Sequence, residues 1–92
     1  MSIRVGQIVF SKRGRDKGLP FVVVDTTADY VCLSDGLLRP LNKPKKKKIM
    51  HVQPVNQVFD LAAVAGQRGL LDSDIRKLLL PFKKVEEVCS IV

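Results

Sequence analysis

Short apolar runs separated by polar turns fill the first half of the chain, and they predict β-structure. Most residues in these runs are β-branched or aromatic, which suits a pleated strand better than a helix. Five runs have the length of a strand: residues 7–11, 19–25, 30–33, 37–41 and 49–52. Asp35-Gly36 has the residue types of a type I′ turn, so it predicts a hairpin between the third and fourth strands. Pro40 lacks an amide proton, which places the fourth strand at an edge or a bend.

The spacing of apolar positions changes after residue 53, where a helical period begins. Asn56 is a predicted N-cap, and Gly66 is placed to end this first helix. Asp72 is the second predicted N-cap, with Asp74 in the first helical turn and Pro81 just beyond the end. The predicted apolar faces are Val58, Leu61, Ala62 and Ala65 in the first helix and Ile75, Leu78 and Leu79 in the second.

These patterns predict one domain that is mostly β with a small α appendage. Five short strands within about fifty residues predict a five-stranded SH3-like barrel over residues 1–53. Two helices this short are not stable alone, so we expect residues 54–92 to pack on the barrel as a helical appendage. Residues 83–92 alternate loosely and fit either a last helical turn or a strand.

The excess of positive charge is confined to the predicted barrel. The chain has 16 Lys and Arg against 9 Asp and Glu, a net charge of +7 and a pI near 9.8. Residues 1–53 hold eleven of the bases and four of the acids, whereas residues 54–92 hold five of each. Such an asymmetry is expected when one face of a protein meets a polyanion and the rest supports that face.

The bases form two groups. The loop at residues 12–18 has four bases in seven residues, and its glycines would let backbone amides approach a phosphate closely. Residues 42–48 include four consecutive lysines, with Arg39 before them and His51 after them. Lysines that repel one another gain when a polyanion neutralises them, so binding should weaken steeply with salt. The alternatives are an ordinary solvated hairpin loop for the first group, and a solubilising loop or polybasic membrane tag for the second.

Neither catalysis nor a cofactor is expected. The chain lacks a P-loop, and its only histidine, His51, has no evident nucleophile and orienting partner. Two isolated cysteines and one histidine cannot form a tetrahedral zinc site, so Cys32 and Cys89 are predicted to be small buried side chains in a reducing compartment. Without a signal-peptide pattern or a run of about 20 apolar residues, we expect a cytoplasmic protein with no membrane partner and no small-molecule substrate.

Two segments resemble known ribosomal proteins. Residues 5–10, Arg15-Asp16-Lys17-Gly18 and residues 21–24 are similar to a KOW motif, a strand–loop–strand unit with a glycine in its loop. The continuation from Asp35-Gly36 through Asn42-Lys43-Pro44 and the lysines to His51 resembles the L-fourteen-e group of large-subunit ribosomal proteins. The resemblance covers roughly residues 4–53.

The resemblance implies an SH3-like barrel of KOW type that contacts ribosomal RNA in translation or ribosome assembly. The contacts it implies are Lys12, Arg13, Arg15, Lys17 and Gly18 in the motif loop, and Arg39, Lys43, Lys45, Lys46, Lys47, Lys48 and His51 in the second segment. It further implies association with the ribosome and with ribosomal or translation proteins. The neutral C-terminal part differs from the long basic extension of ribosomal members, so a stand-alone accessory factor remains the alternative to a ribosomal subunit.

Two functional hypotheses result. The first is an RNA-binding module that grips folded or double-stranded RNA mainly through phosphates. The second is a protein-interaction adaptor that docks partners through an edge strand at residues 37–41, or through the helix face around Leu78 and Leu79.

Overall fold

Five antiparallel strands form a single sheet in the computed structural model, which describes residues 3–83. The strands are β1 (Gln7–Ser11), β2 (Pro20–Thr26), β3 (Tyr30–Ser34), β4 (Lys45–Lys48) and β5 (Val52–Val58). Their order is β4-β3-β2-β1-β5, so β5 returns to pair with β1. The mostly β character is confirmed, but no ladder joins β4 to β5 within residues 3–83, and the sheet is open rather than closed into a barrel.

Side chains alternate between the two faces of the sheet, and both faces carry a core. One core consists of Val9, Phe21, Val23, Val31, Leu33 and Val52. On the other face, Ile8 and Val22 pack against Ile75 and Leu79 from a helix, and all four are fully buried. Burial of a large apolar side chain contributes roughly 1.5–3 kcal/mol, so both cores stabilise the sheet.

The predicted fourth strand at residues 37–41 is wrong, because this segment is an irregular, bent loop. The Asp35 carboxylate accepts hydrogen bonds from the amides of Leu37 (2.9 Å) and Arg39 (2.8 Å). These side-chain hydrogen bonds take the place of the ladder that a strand needs. The predicted type I′ turn is also absent. Such a turn needs a positive φ at both central residues, and Gly36 has a φ of 74° but Asp35 does not have a positive φ.

The actual fourth strand is the lysine run, which the sequence predicts as a loop. β4 pairs with β3 in an antiparallel ladder that runs from Lys45 opposite Leu33 to Lys48 opposite Tyr30. One side of an edge strand faces water, where lysines are tolerated and discourage pairing with other chains.

The last predicted strand is also displaced. Ile49–His51 forms a 3-10 turn, and β5 begins only at Val52. β5 then continues to Val58, so the predicted boundary between barrel and appendage at residue 53 falls inside this strand. Gly6, with a φ of 92°, allows the end of β5 to approach β1, because a Cβ there would lie 1.9 Å from the Phe59 carbonyl oxygen.

Two short helices follow the sheet, as predicted. The first, α1 (Leu61–Ala65), starts later than predicted because Asn56 and Val58 belong to β5. Asp60 caps it, with its carboxylate accepting from the amides two and three residues ahead at 3.1 and 3.2 Å. Gly66 ends the helix with a φ of 59°, which confirms that part of the prediction.

The second helix, α2 (Asp72–Leu79), has the predicted apolar stripe. Ile75 and Leu79 face the sheet, whereas Arg76 and Lys77 are exposed. Asp72 is the first helical residue rather than the N-cap, and its carboxylate accepts from the Leu41 amide at 2.7 Å.

A 3-10 turn, Leu80–Phe82, follows α2 and contains the predicted helix-ending Pro81. With eight residues, α2 is the longest helix of the described part, so no helix there could cross a bilayer. Cys89 and the alternating residues from 84 onward lie outside the described residues. Cys32 is half-buried rather than buried.

Candidate nucleic-acid interface

The strand geometry of β4 divides its four lysines between the two faces of the sheet. Paired residues of an antiparallel ladder point to the same side. Lys45 and Lys47 therefore lie on the face of their partners in β3, which belong to the first core. Lys46 and Lys48 lie on the opposite face. The lysine run is thus not one uniform cationic loop but two pairs with different surroundings.

Lys45 and Lys47 share a pocket with the motif loop. This basic pocket has a volume of about 320 Å³ and is lined by Arg13, Gly14, Arg15, Asp16, Arg39, Lys45 and Lys47. The Lys47 ammonium donates hydrogen bonds to the Ser11 hydroxyl (2.7 Å) and the Arg13 carbonyl (2.8 Å), which fixes β4 against the start of the loop. The two basic segments of the sequence therefore meet at one site.

The basic pocket has a strong positive potential. Its lining includes five cations and one carboxylate, a formal charge of +4. That carboxylate, Asp16, forms an ion pair with Arg39 at 3.5 Å. The Arg39 Nε is buried and has no hydrogen-bond partner within residues 3–83. An anion in the pocket would meet guanidinium forks and ammonium groups together, and these bind phosphate oxygens well.

The motif loop uses its backbone amides internally. The amides of Lys17, Gly18 and Leu19 donate to the carbonyls of Gly14, Ser11 and Asp16 at 3.2, 2.8 and 2.9 Å. The expected approach of the Gly18 amide to a phosphate is therefore wrong. Gly18 instead lines an apolar pocket with Leu19 and Leu37. The Gly14 amide is not among these donors and Gly14 lines the basic pocket, so the approach of that amide to a phosphate stays a prediction.

The remaining predicted contacts do not line the basic pocket. The Lys12 amide donates to the His51 carbonyl at 2.8 Å, so these two residues are adjacent. Partial burial lowers the pKa of His51 below 6.5, and the nearby charges of Arg13, Lys48, Lys47 and Lys12 lower it further. The imidazole is therefore neutral at pH 7, although cationic side chains lie close to it. Lys17 and Lys43 are exposed and line none of the described pockets.

On the other face of β4, Lys46 and Lys48 lie beside the only tyrosine of the chain. The Lys46 ammonium is 4.6 Å from the centroid of the Tyr30 ring, within the range of a cation–π contact. Lys48 and Tyr30 line a second open pocket with Asp29 and Met50. Sequence reasoning missed this site, since Tyr30 fits the strand pattern and nothing in the spacing places it near the lysines.

The surfaces predicted for a protein-interaction adaptor are not formed as predicted. Residues 37–41 are not an edge strand. Leu79 is fully buried against the sheet, and Leu78 is half-buried in the same core. The predicted edge strand is therefore absent and the Leu78–Leu79 face is largely covered, although Leu37 and Leu38 are exposed, and the adaptor hypothesis stays a prediction.

Within residues 3–83, no three side chains of His, Cys, Asp or Glu are grouped closely enough to hold a metal ion. Models of known protein families give no match to this chain, and a search of curated proteins finds no relative.

Proposed function

We propose that this protein is a non-catalytic RNA-binding protein that grips RNA phosphates with the basic pocket. The observation that carries the proposal is the junction of two basic segments: Lys47 of β4 donates to the carbonyl of Arg13, 34 residues earlier, and both residues line one pocket. Lys12 and Lys48 add positive charge nearby, beside the neutral imidazole of His51. A phosphate backbone supplies the repeated charges that such a surface matches.

An edge strand rich in lysine has a simpler explanation, because lysines protect sheet edges from pairing with other chains. That explanation accounts for β4 but not for Arg13, Arg15 and Arg39, which belong to other segments and converge on the same pocket. Convergence of cations from three segments costs electrostatic repulsion, and a bound polyanion offsets this cost. The basic pocket therefore favours the functional explanation.

The resemblance to KOW proteins and to the L-fourteen-e group supports RNA as the bound polyanion, and ribosomal RNA as the kind of RNA. The proposed role is in translation or ribosome assembly. The return of β5 to pair with β1 supports a sheet of SH3-like type, with the 3-10 turn between the last two strands. The bend of such a sheet would bring the motif loop and β4 to the same side.

The test is to crosslink the protein to RNA in cells and to sequence what is recovered. The proposal predicts enrichment of one region of ribosomal RNA, and loss of that enrichment in a variant with Arg13→Gln, Arg15→Gln and Lys45→Gln. A matched variant with Arg4→Gln, Lys77→Gln and Lys83→Gln removes the same charge at exposed positions outside the pocket and should retain the enrichment. Recovery at background level, or equal loss in both variants, would contradict the proposal.

A further inference from the structure

The second pocket on β4 has the features of a binding site for a single group. This tyrosine pocket, formed by Asp29, Tyr30, Lys48 and Met50 together with two neighbours, has a volume of about 580 Å³. The volume is within the range of about 300–1,000 Å³ that is typical of small-molecule sites. It lies on the face of β4 opposite to Lys45 and Lys47.

Hydrogen bonds hold the walls of the tyrosine pocket in place. Thr27 and Tyr30 close a tight turn, in which the Thr27 amide donates to the Tyr30 carbonyl (2.8 Å) and the Tyr30 amide donates to the Thr27 hydroxyl (3.2 Å). The Ile49 amide donates to the Asp29 carbonyl at 3.0 Å, which joins this turn to the 3-10 turn. The pocket is therefore formed before any ligand binds.

The pocket combines an aromatic ring, a thioether and one lysine, and a second lysine lies over the ring from outside the lining. Tyr30 is half-buried, and Met50 is 70% exposed although it is apolar. An exposed methionine is a soft, polarizable surface that suits flat aromatic groups. Lys46 covers one face of the ring at 4.6 Å, and Lys48 lines the pocket, so the surroundings attract anions. A flat aromatic group with a phosphate on each side matches this arrangement.

Asp29 gives the tyrosine pocket a means of selecting between bases. Its backbone carbonyl holds the turn, and its carboxylate is exposed at the pocket. A carboxylate repels phosphates and accepts hydrogen bonds, so in an RNA-binding surface it favours a group with donors. Among the bases, guanine has two adjacent N–H donors on its Watson–Crick edge, and these match the two carboxylate oxygens.

We propose that the tyrosine pocket binds one unpaired base of the RNA, and that it prefers guanine. This inference rests on the proposed RNA-binding function. In this proposal the base stacks against the Tyr30 ring, contacts Met50, and donates from its Watson–Crick edge to the Asp29 carboxylate, while Lys46 and Lys48 contact the flanking phosphates. Because neighbouring lysines of β4 point to opposite faces, an RNA strand that crosses this edge reaches both the tyrosine pocket and the basic pocket. Reading of unpaired bases by stacking is how proteins recognise single-stranded RNA.

The chain provides its own probe for this pocket. Tyr30 is the only tyrosine and there is no tryptophan, so tyrosine fluorescence reports on this site alone. The titrants are an eight-nucleotide oligouridine with one central guanosine, the same oligomer without it, and the guanosine oligomer paired in a duplex. We expect quenching and tighter binding with the single-stranded guanosine oligomer, and no quenching with the duplex.

Variants separate stacking from charge. Base stacking on an aromatic ring is worth enough that Tyr30→Ala should weaken binding of the guanosine oligomer about 5- to 150-fold, whereas Tyr30→Phe should retain it. Asp29→Asn should remove the preference for guanosine over uridine. Met50→Ser removes one wall of the pocket at an exposed position, and it should also weaken binding, which keeps the test valid if Tyr30→Ala fails to fold. Affinities are read from the anisotropy of labelled RNA, which does not depend on tyrosine.

The outcomes distinguish this inference from the proposed function. The base site is refuted, and the phosphate site stands, if the oligomers bind and the basic-pocket variant weakens them, but the wild type shows no tyrosine quenching and both Tyr30→Ala and Met50→Ser bind as tightly as the wild type. If Asp29→Asn keeps the full preference for guanosine, the guanine assignment is refuted. If the wild-type protein binds neither single-stranded nor duplex RNA, the proposed function itself fails.

Discussion

The salt dependence of RNA binding gives a quantitative test of the basic pocket. Arg15 and Lys45 both line the pocket, and neither side chain makes a hydrogen bond or ion pair within residues 3–83. Replacement of both by glutamine therefore removes two charges without leaving a partner unpaired. Lys47 and Arg39 are unsuitable for this purpose, because Lys47 also anchors β4 and Arg39 pairs with Asp16.

The expected magnitude follows from counterion release. Each phosphate contact with a single strand contributes about −0.7 to the slope of log affinity against log salt, so two lost contacts make the slope shallower by about 1.4. Between about 50 and 200 mM salt, the wild-type affinity should then fall about sevenfold more than that of the Arg15→Gln/Lys45→Gln variant. Fluorescence anisotropy of a labelled single-stranded RNA at five salt concentrations measures both slopes.

The matched control carries the same change of charge outside the pocket. Lys77 is exposed on α2 and Lys83 follows the 3-10 turn, so Lys77→Gln/Lys83→Gln should leave the slope unchanged. Equal slopes for the wild type and the pocket variant would refute the reasoning. Equally shallow slopes for the two double variants would show that net charge, rather than the basic pocket, determines binding. Thermal unfolding of both variants confirms that each is folded.

Three further predictions concern pH and stability. Partial burial and then repulsion by nearby cations lower the pKa of His51, and RNA phosphates should offset the repulsion, so affinity should rise as pH falls from about 7.5 to about 5.5, and His51→Gln should abolish that rise in binding assays. Hydrogen bonds from the Arg68 guanidinium lower the pKa of Asp74 to about 2, so this pair stabilises the fold above about pH 4 and is lost as pH falls toward 2. Arg68→Met should therefore lower Tm clearly at pH 7 and much less at pH 2, and equal lowering at both would contradict this. Leu79→Ala should reduce the free energy of unfolding in urea by about 3 kcal/mol, and a loss below about 1 kcal/mol would be inconsistent with its full burial.

The local parts of the fold were predictable from the sequence. β1, β2 and β3 agree with the predicted strands to within a residue or so at each end, since their β-branched runs favour extended structure in almost any surroundings. The end of α1 at Gly66 and the apolar stripe of α2 were also predictable, because a cap and a helical period are properties of neighbouring residues.

The fourth and fifth strands were not predictable in this way. Leu37 to Leu41 has the composition of a strand, but two of its amides, those of Leu37 and Arg39, donate hydrogen bonds to the Asp35 carboxylate. Lys45–Lys48 has the composition of a loop, but β3 offers an unpaired edge that accepts any sequence able to donate and accept backbone hydrogen bonds. Such pairing depends on residues distant in the chain, and no local pattern encodes it.

For the candidate site, the sequence alone determined that excess positive charge lies in the first half and that two segments carry it. Only the tertiary structure decided which cations meet. The register of β4 against β3 places Lys45 and Lys47 with Arg13, Arg15 and Arg39, and it sends Lys46 and Lys48 to Tyr30 on the other face. The physical reason is the two-residue period of a strand, in which a shift of one position would exchange the two faces.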